Sequence, residues 1–124
     1  MTVTERPVLI RWDETPLDRM RGSITRRFIT SEKIMLAQVR FARGDEAPAH
    51  RHLAEQFVYV LDGALRFLLG EEQNEQIIVR AGEVLLVPSN LLHSALALED
   101  TFELDIFCPP RADWLDGSDD YLRK

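Results

Sequence analysis

The chain has 124 residues, 45% of them hydrophobic and 29% charged, which suits one self-sufficient core rather than two. Its net charge of -6 leaves no basic surplus with which to release counterions from a nucleic acid, so that partner class is excluded. No basic segment with a following apolar run opens the chain and no eighteen apolar residues stand together, so no membrane span is expected and the reading is of a cytoplasmic protein.

Short runs rich in Val, Ile, Leu and Phe predict strands, and turn residues separate them. The first run is 8–12. A short helix is expected over 13–20, broken at Pro16, before a strand over 34–41 and a turn at Gly44. Runs at 57–61 and 65–69 flank Asp62-Gly63, a compact hairpin signal. The acidic stretch 71–75 reads as a solvated hairpin loop ahead of a strand over 76–80. Gly82 turns into 84–87, Pro88-Ser89-Asn90 ends that run, and further strands follow over 91–98 and 102–107. Residues 114–122 hold another helical turn or two. The lone Cys108 has no cationic neighbour to stabilise a thiolate and is expected to be buried as a small hydrophobe. This spacing of short strands predicts an antiparallel sandwich or barrel.

Three histidines are all the chain has. His50 and His52 stand two apart, and on a strand side chains at i and i+2 leave the same face, so both imidazoles can converge inside a barrel. On a helix they would be about 200° apart. Gln56 follows with an amide oxygen able to act as a neutral ligand, and His93 comes five residues after Pro88.

Gly44, His50, His52, Gln56 and Gly63 stand at the intervals of the first cupin motif, with Gln where most members have Glu. Gly82, Pro88, Asn90 and His93 resemble the second motif, with Asn for its central Gly and Ala97 for its terminal Asn. The chain therefore resembles a small single-domain cupin, spanning 1–124 with core motifs at about 44–97. The resemblance implies an all-β double-stranded β-helix, or jelly-roll, barrel with short terminal helical turns. It also implies one divalent metal on His50, His52, Gln56 and His93. Glu55 is a rival ligand, but the six-residue gap to Gly63 selects Gln56, and Asn90 can take the left-handed conformation that Gly supplies. Such donors suit Zn, Fe, Ni, Mn or Cu. They are all uncharged, so the ion keeps its full positive charge, which favours Lewis-acid work on an anionic ligand.

Alternation over 103–111 puts Asp105 and Phe107 on one face and Leu104, Ile106 and Cys108 on the other. The run Asp-x-Phe-x-Pro-Pro-Arg resembles the corresponding segment of the KdgF-like pectin-degradation cupins, which linearise 4,5-unsaturated uronates. By that resemblance Asp105 is the acid-base residue, Phe107 shapes the sugar pocket and Arg111 pairs with the substrate carboxylate. The bland alternative makes them a loop-bonding Asp, a core Phe and a surface Arg. Arg26, Arg27 and Arg40 are read as solvated or paired, and Trp12, Trp114 and Tyr121 as caps on the barrel or a dimer interface rather than stacking on ligand. The leading function is a metal-dependent isomerase or lyase-like enzyme on a small anionic sugar or keto acid. A metal-dependent dioxygenase or cyclase and a non-catalytic ligand-binding cupin are the alternatives, and a homodimer is expected by resemblance.

Overall fold

The computed structural model describes residues 6–124. Ten strands form two antiparallel sheets. In the order they pair, the larger sheet holds β1 (Asp18–Arg19), β2 (Thr25–Thr30), β3 (Met35–Phe41), β10 (Thr101–Cys108), β5 (Glu55–Asp62) and β8 (Val84–Val87). The smaller holds β4 (Glu46–His50), β9 (His93–Ala97), β6 (Ala64–Leu69) and β7 (Glu75–Arg80). Two short helices, α1 (Ala112–Asp116) and α2 (Asp120–Arg123), follow β10.

The sheets face each other through alternate residues, as a period of two requires. Met35, Ala37, Val39 and Phe41 of β3 point inward with Val58 and Val60 of β5, against Leu65, Phe67 and Leu69 of β6. Trp114 and Leu122, from the two helices, join the same buried cluster. β10 lies between β3 and β5, and its inward residues are Thr101, Glu103, Asp105 and Phe107. Polar groups therefore stand where the other inner strands carry aliphatic ones. This is the jelly-roll barrel that the strand spacing and motifs pointed to.

Several local expectations are corrected. Residues 8–12 form no strand, and Val8 and Leu9 are exposed. The helix expected over 13–20 is only a 3-10 turn, Trp12–Glu14, followed by β1. Thr15, before Pro16, is extended, as the proline ring demands, and no residue of the turn is buried to hold a helix down. Asp62-Gly63 does not close a hairpin, because β5 and β6 lie in different sheets and the turn carries the chain across the barrel. Cys108 is exposed, because it ends β10 on the outward face. β2 and β4 were not foreseen. In β2 the inward position is Arg26, fully buried and held by Asp18 at 3.0 Å and Asp119 at 2.7 Å, so the strand lacks an apolar signature. Asn90 does take the left-handed conformation, at φ 64°.

Gly63 shows what the crossing requires. Its φ is 93°, and a Cβ there would collide with the carbonyl oxygen of Asp100 and with Thr101. Gly44 has a similar φ of 90° but open space around it. Gly63→Ala should therefore cost about 3 kcal/mol or more and Gly44→Ala about 1 kcal/mol, read from urea midpoints at constant slope. Equal losses would mean that the close approach to Asp100 is unimportant.

Candidate functional site

Both sheets and one loop contribute to a single buried site. His50 and His93 are cross-strand partners on β4 and β9, beside an irregularity after Ala47. Gln56 enters from the start of β5 in the opposite sheet. His52 lies two residues past the end of β4, in the connection to β5, so the loop and not the strand parity brings its ring over. Ring centroids are 4.3 Å apart for His50 and His93, 4.9 Å for His52 and His93, and 5.5 Å for His50 and His52. One nitrogen from each ring lies within 4.8 Å of the others, close enough for one metal ion.

The backbone decides which nitrogens these are. The Nδ1 atoms of His50, His52 and His93 each lie 2.8 Å from a carbonyl two residues away, that of Pro48, Ala54 and Leu91 respectively. A carbonyl only accepts, so each Nδ1 carries the proton and each Nε2 keeps its lone pair, the arrangement in which histidine ligates metals. The Nε2 atoms of His52 and His93 and the Oε1 of Gln56 are buried with no hydrogen-bond partner. Unpaired acceptors are costly in a protein interior, and several together suit a cation placed among them.

Electrostatics agrees with that reading. Burial, reinforced by the charge His93 would carry, pushes the His50 pKa down to about 2. Burial with the charge of Arg111 lowers His52 to about 4, and burial lowers His93. All three rings are therefore neutral at pH 7 and need lose no proton to accept a cation.

Asp105 is buried beside them and accepts a hydrogen bond from the Nε2 of Gln56 at 2.9 Å, which leaves the Gln56 oxygen as the free end of that amide. Phe107 is also buried, its ring edge-on to His52 at 5.6 Å. Sequence alternation therefore assigned both residues to the correct face. Arg111 reaches the same cavity wall but is not free. It bonds both oxygens of Asp113, at 2.9 and 2.7 Å, and the Tyr121 hydroxyl at 2.7 Å. Trp114 caps the barrel as expected, packed on Phe28 and Phe107. Tyr121 also lies at this end of the barrel, its ring flat on His50.

Glu103 was missed, although it shares the parity of Asp105. Burial first, and then the neighbouring Asp105 carboxyl, holds its pKa well above the usual range, and Asp105 is itself raised to about 6 by burial. The cavity beneath these residues is small, about 40 Å³, enough for an ion and a water or two.

No curated protein matches this sequence. The cupin domain profile matches residues 37–108, more than half of the chain. The chain belongs to the cupin family. Its fold is similar to that of KdgF from Halomonas sp. (TM-score 0.78, 27% identity, covering 88% of this chain and 99% of that one). An RmlC-like cupin from Shewanella frigidimarina NCIMB 400 is equally similar (TM-score 0.78, 22% identity, 88% and 96% covered). A variant of oxalate decarboxylase from Bacillus subtilis matches in fold over 87% of this cupin and 32% of its own chain (TM-score 0.71, 22% identity). Manganese(II) centres are described for that decarboxylase. Among the described residues of this cupin no helix is long and apolar enough to cross a membrane.

The Glu103 shift gives a stability test. Its carboxyl keeps a proton in the folded chain at pH values where an unfolded glutamate, near 4.5, has lost it. The folded state thus binds the proton more tightly, and stability falls as pH rises from about 4.5 towards the raised value. Glu103→Gln cannot ionise and should melt roughly 4 °C or more above the parent at pH 8 in metal-free protein, with the gap closing at pH 4. A gap independent of pH would refute the assignment.

Proposed function

We propose that this cupin is a metal-dependent enzyme acting on a small anionic sugar or keto acid, with one divalent ion held by His50, His52, Gln56 and His93. The observation that carries the reading is the set of unpartnered, uncharged acceptors in one buried cavity, directly beside a buried carboxyl. Residues outside the matched 37–108 are read as part of the same cupin domain, because Met20, Trp114 and Leu122 share its core.

The donor chemistry fits the ion. Three imidazoles and an amide are neutral nitrogen and oxygen ligands, suited to Zn, Fe, Ni, Mn or Cu. When bound, the ion supplies a Lewis acid whose full positive charge attracts and polarises an anionic oxygen ligand. The chain's own groups do the rest. Asp105 is fixed by the Gln56 amide and positioned to take a proton from a hydroxyl and return it elsewhere on the same molecule. Phe107 gives the cavity an apolar wall, and Arg111 adds positive potential on the side where a carboxylate would lie.

The substrate we propose is a 4,5-unsaturated uronate, converted to its linear 4-deoxy-5-keto form. The KdgF-like Asp-x-Phe-x-Pro-Pro-Arg run and the 27% identity to the Halomonas KdgF support it. In that reaction the anomeric hydroxyl loses its proton as the ring C–O bond at that carbon breaks. The ring oxygen becomes the new ketone, and C4 takes up a proton, so the change is an isomerisation with no net gain or loss. One carboxyl that accepts and then donates suffices, which is the role assigned to Asp105. Two copies of the chain are expected to associate.

The test is loss of the enol-ether absorbance of freshly generated unsaturated galacturonate, measured against its spontaneous rate. Metal-loaded protein should accelerate it, chelator should abolish the acceleration, and Asp105→Asn should lower turnover by about 10² to 10⁴ while leaving metal content unchanged. His93→Ala should instead remove metal, weakening affinity about 100-fold or more by calorimetry. Full activity in Asp105→Asn, or none in metal-loaded parent protein, would refute this substrate and these roles.

A further inference from the structure

The last described segment of the chain forms one wall of the cavity over the histidines, through Tyr121 and Leu122. After α1 the backbone turns at Gly117 in the left-handed conformation, with nothing within 4 Å of where a Cβ would stand, and returns across the barrel mouth as α2. Tyr121 lays its ring on His50, centroids 4.0 Å apart and planes 17° apart, while its hydroxyl accepts a hydrogen bond from Arg111. Leu122 is buried, and its carbonyl accepts from the Arg21 backbone N–H at 2.8 Å. Asp119, fully buried, ties the segment to the barrel through Arg26 and pairs within the segment with Arg123.

This roof differs in kind from the barrel. α2 has four residues, pairs with no strand of either sheet and buries one of its own side chains, Leu122. So short a helix does not persist by itself, and its closed position depends on those few contacts. Beneath it is room for about 40 Å³, whereas sites for small organic ligands run to several hundred. An open groove of about 420 Å³ does pass His52, Arg111 and Asp113 on the other side. The Nε2 atoms of His52 and His93 are nevertheless buried, so the groove stops at the His52 ring. What Tyr121 provides, a flat ring on His50 and an oxygen on Arg111, is what a planar oxygen-bearing ligand would provide in its place.

We propose that residues 118–124 are a lid hinged at Gly117, whose Tyr121 holds the ligand's place on His50 and Arg111 and must swing out before a sugar-sized molecule reaches the buried Nε2 atoms of His52 and His93. The lid rests on geometry alone. Only the further point, that the incoming molecule is an anion displacing Tyr121 from Arg111, rests on the function proposed above.

Diethyl pyrocarbonate modifies neutral imidazole, and the chain's three histidines can be followed by peptide mass mapping in metal-free protein without any sugar. His93 in the parent should react far more slowly than a free histidine peptide. Tyr121→Ala and Leu122→Ala should each raise the His93 rate about tenfold, the change produced by roughly 1.4 kcal/mol, while thermal unfolding stays cooperative. A parent rate equal to that of the free peptide would show that no roof exists. A slow rate shared by all three proteins would show that something other than α2 covers the site. If either variant fails to fold, amide hydrogen exchange on the parent decides. Amides of 118–124 should exchange well ahead of those in β9, and exchange only at the global unfolding rate would overturn the lid. Neither measurement depends on uronate turnover, so the lid and the substrate assignment stand or fall separately.

Discussion

Three hydrogen bonds from imidazole to backbone determine what this site can be. Pro48, Ala54 and Leu91 each present a carbonyl to the Nδ1 of the histidine two residues away, at 2.8 Å in every case. The carbonyls belong to β4, its following loop and the approach to β9, so the orientation of each ring is set by the backbone close to it in sequence. An imidazole held this way cannot rotate to offer its other nitrogen, and its free lone pair stays aimed at its neighbours. Turning any one ring over would leave a carbonyl without its donor and a ligand set short of one atom.

Holding those rings in an apolar barrel has consequences for the groups around them. Desolvation keeps all three neutral, and the same desolvation raises the Glu103 and Asp105 carboxyls. The barrel thus gathers groups that resist charge, and a cation placed among them reverses that preference for every acceptor it touches. Gln56 matters here for its neutrality. Glutamate in its place would cancel one unit of the ion's charge and compete with Asp105 for protons, whereas the amide donates to Asp105 and leaves its oxygen free.

Where chemistry and spacing carry information locally, the sequence was readable. The inward parity of Asp105 and Phe107 follows from period-two geometry, and the turn at Asn90 and the convergence of the three histidines follow from motif intervals, although His52 arrives from the loop after β4 and not by strand parity. Features that depend on distant partners were not readable. Arg26 looks like a surface residue until Asp119 arrives from the end of the chain to pair with it. Tyr121 reads as a barrel cap, but that its ring rests on His50 depends on α2 returning across the mouth. Arg111 has a partner close in sequence, Asp113, but its bond to the Tyr121 hydroxyl forms only because α2 returns to it. The crossing at Gly63 was misread for a related reason: a turn dipeptide reports that the chain reverses, and not which sheet receives it.

The most direct test of a metal centre built from these residues is X-ray absorption on the protein loaded with one equivalent of zinc. The account predicts a first shell of nitrogen and oxygen only, at about 2.0–2.2 Å, with the outer-shell scattering of three imidazoles. A shell containing sulfur, fewer than three imidazoles, or zinc that fails to bind in stoichiometric amount would contradict it.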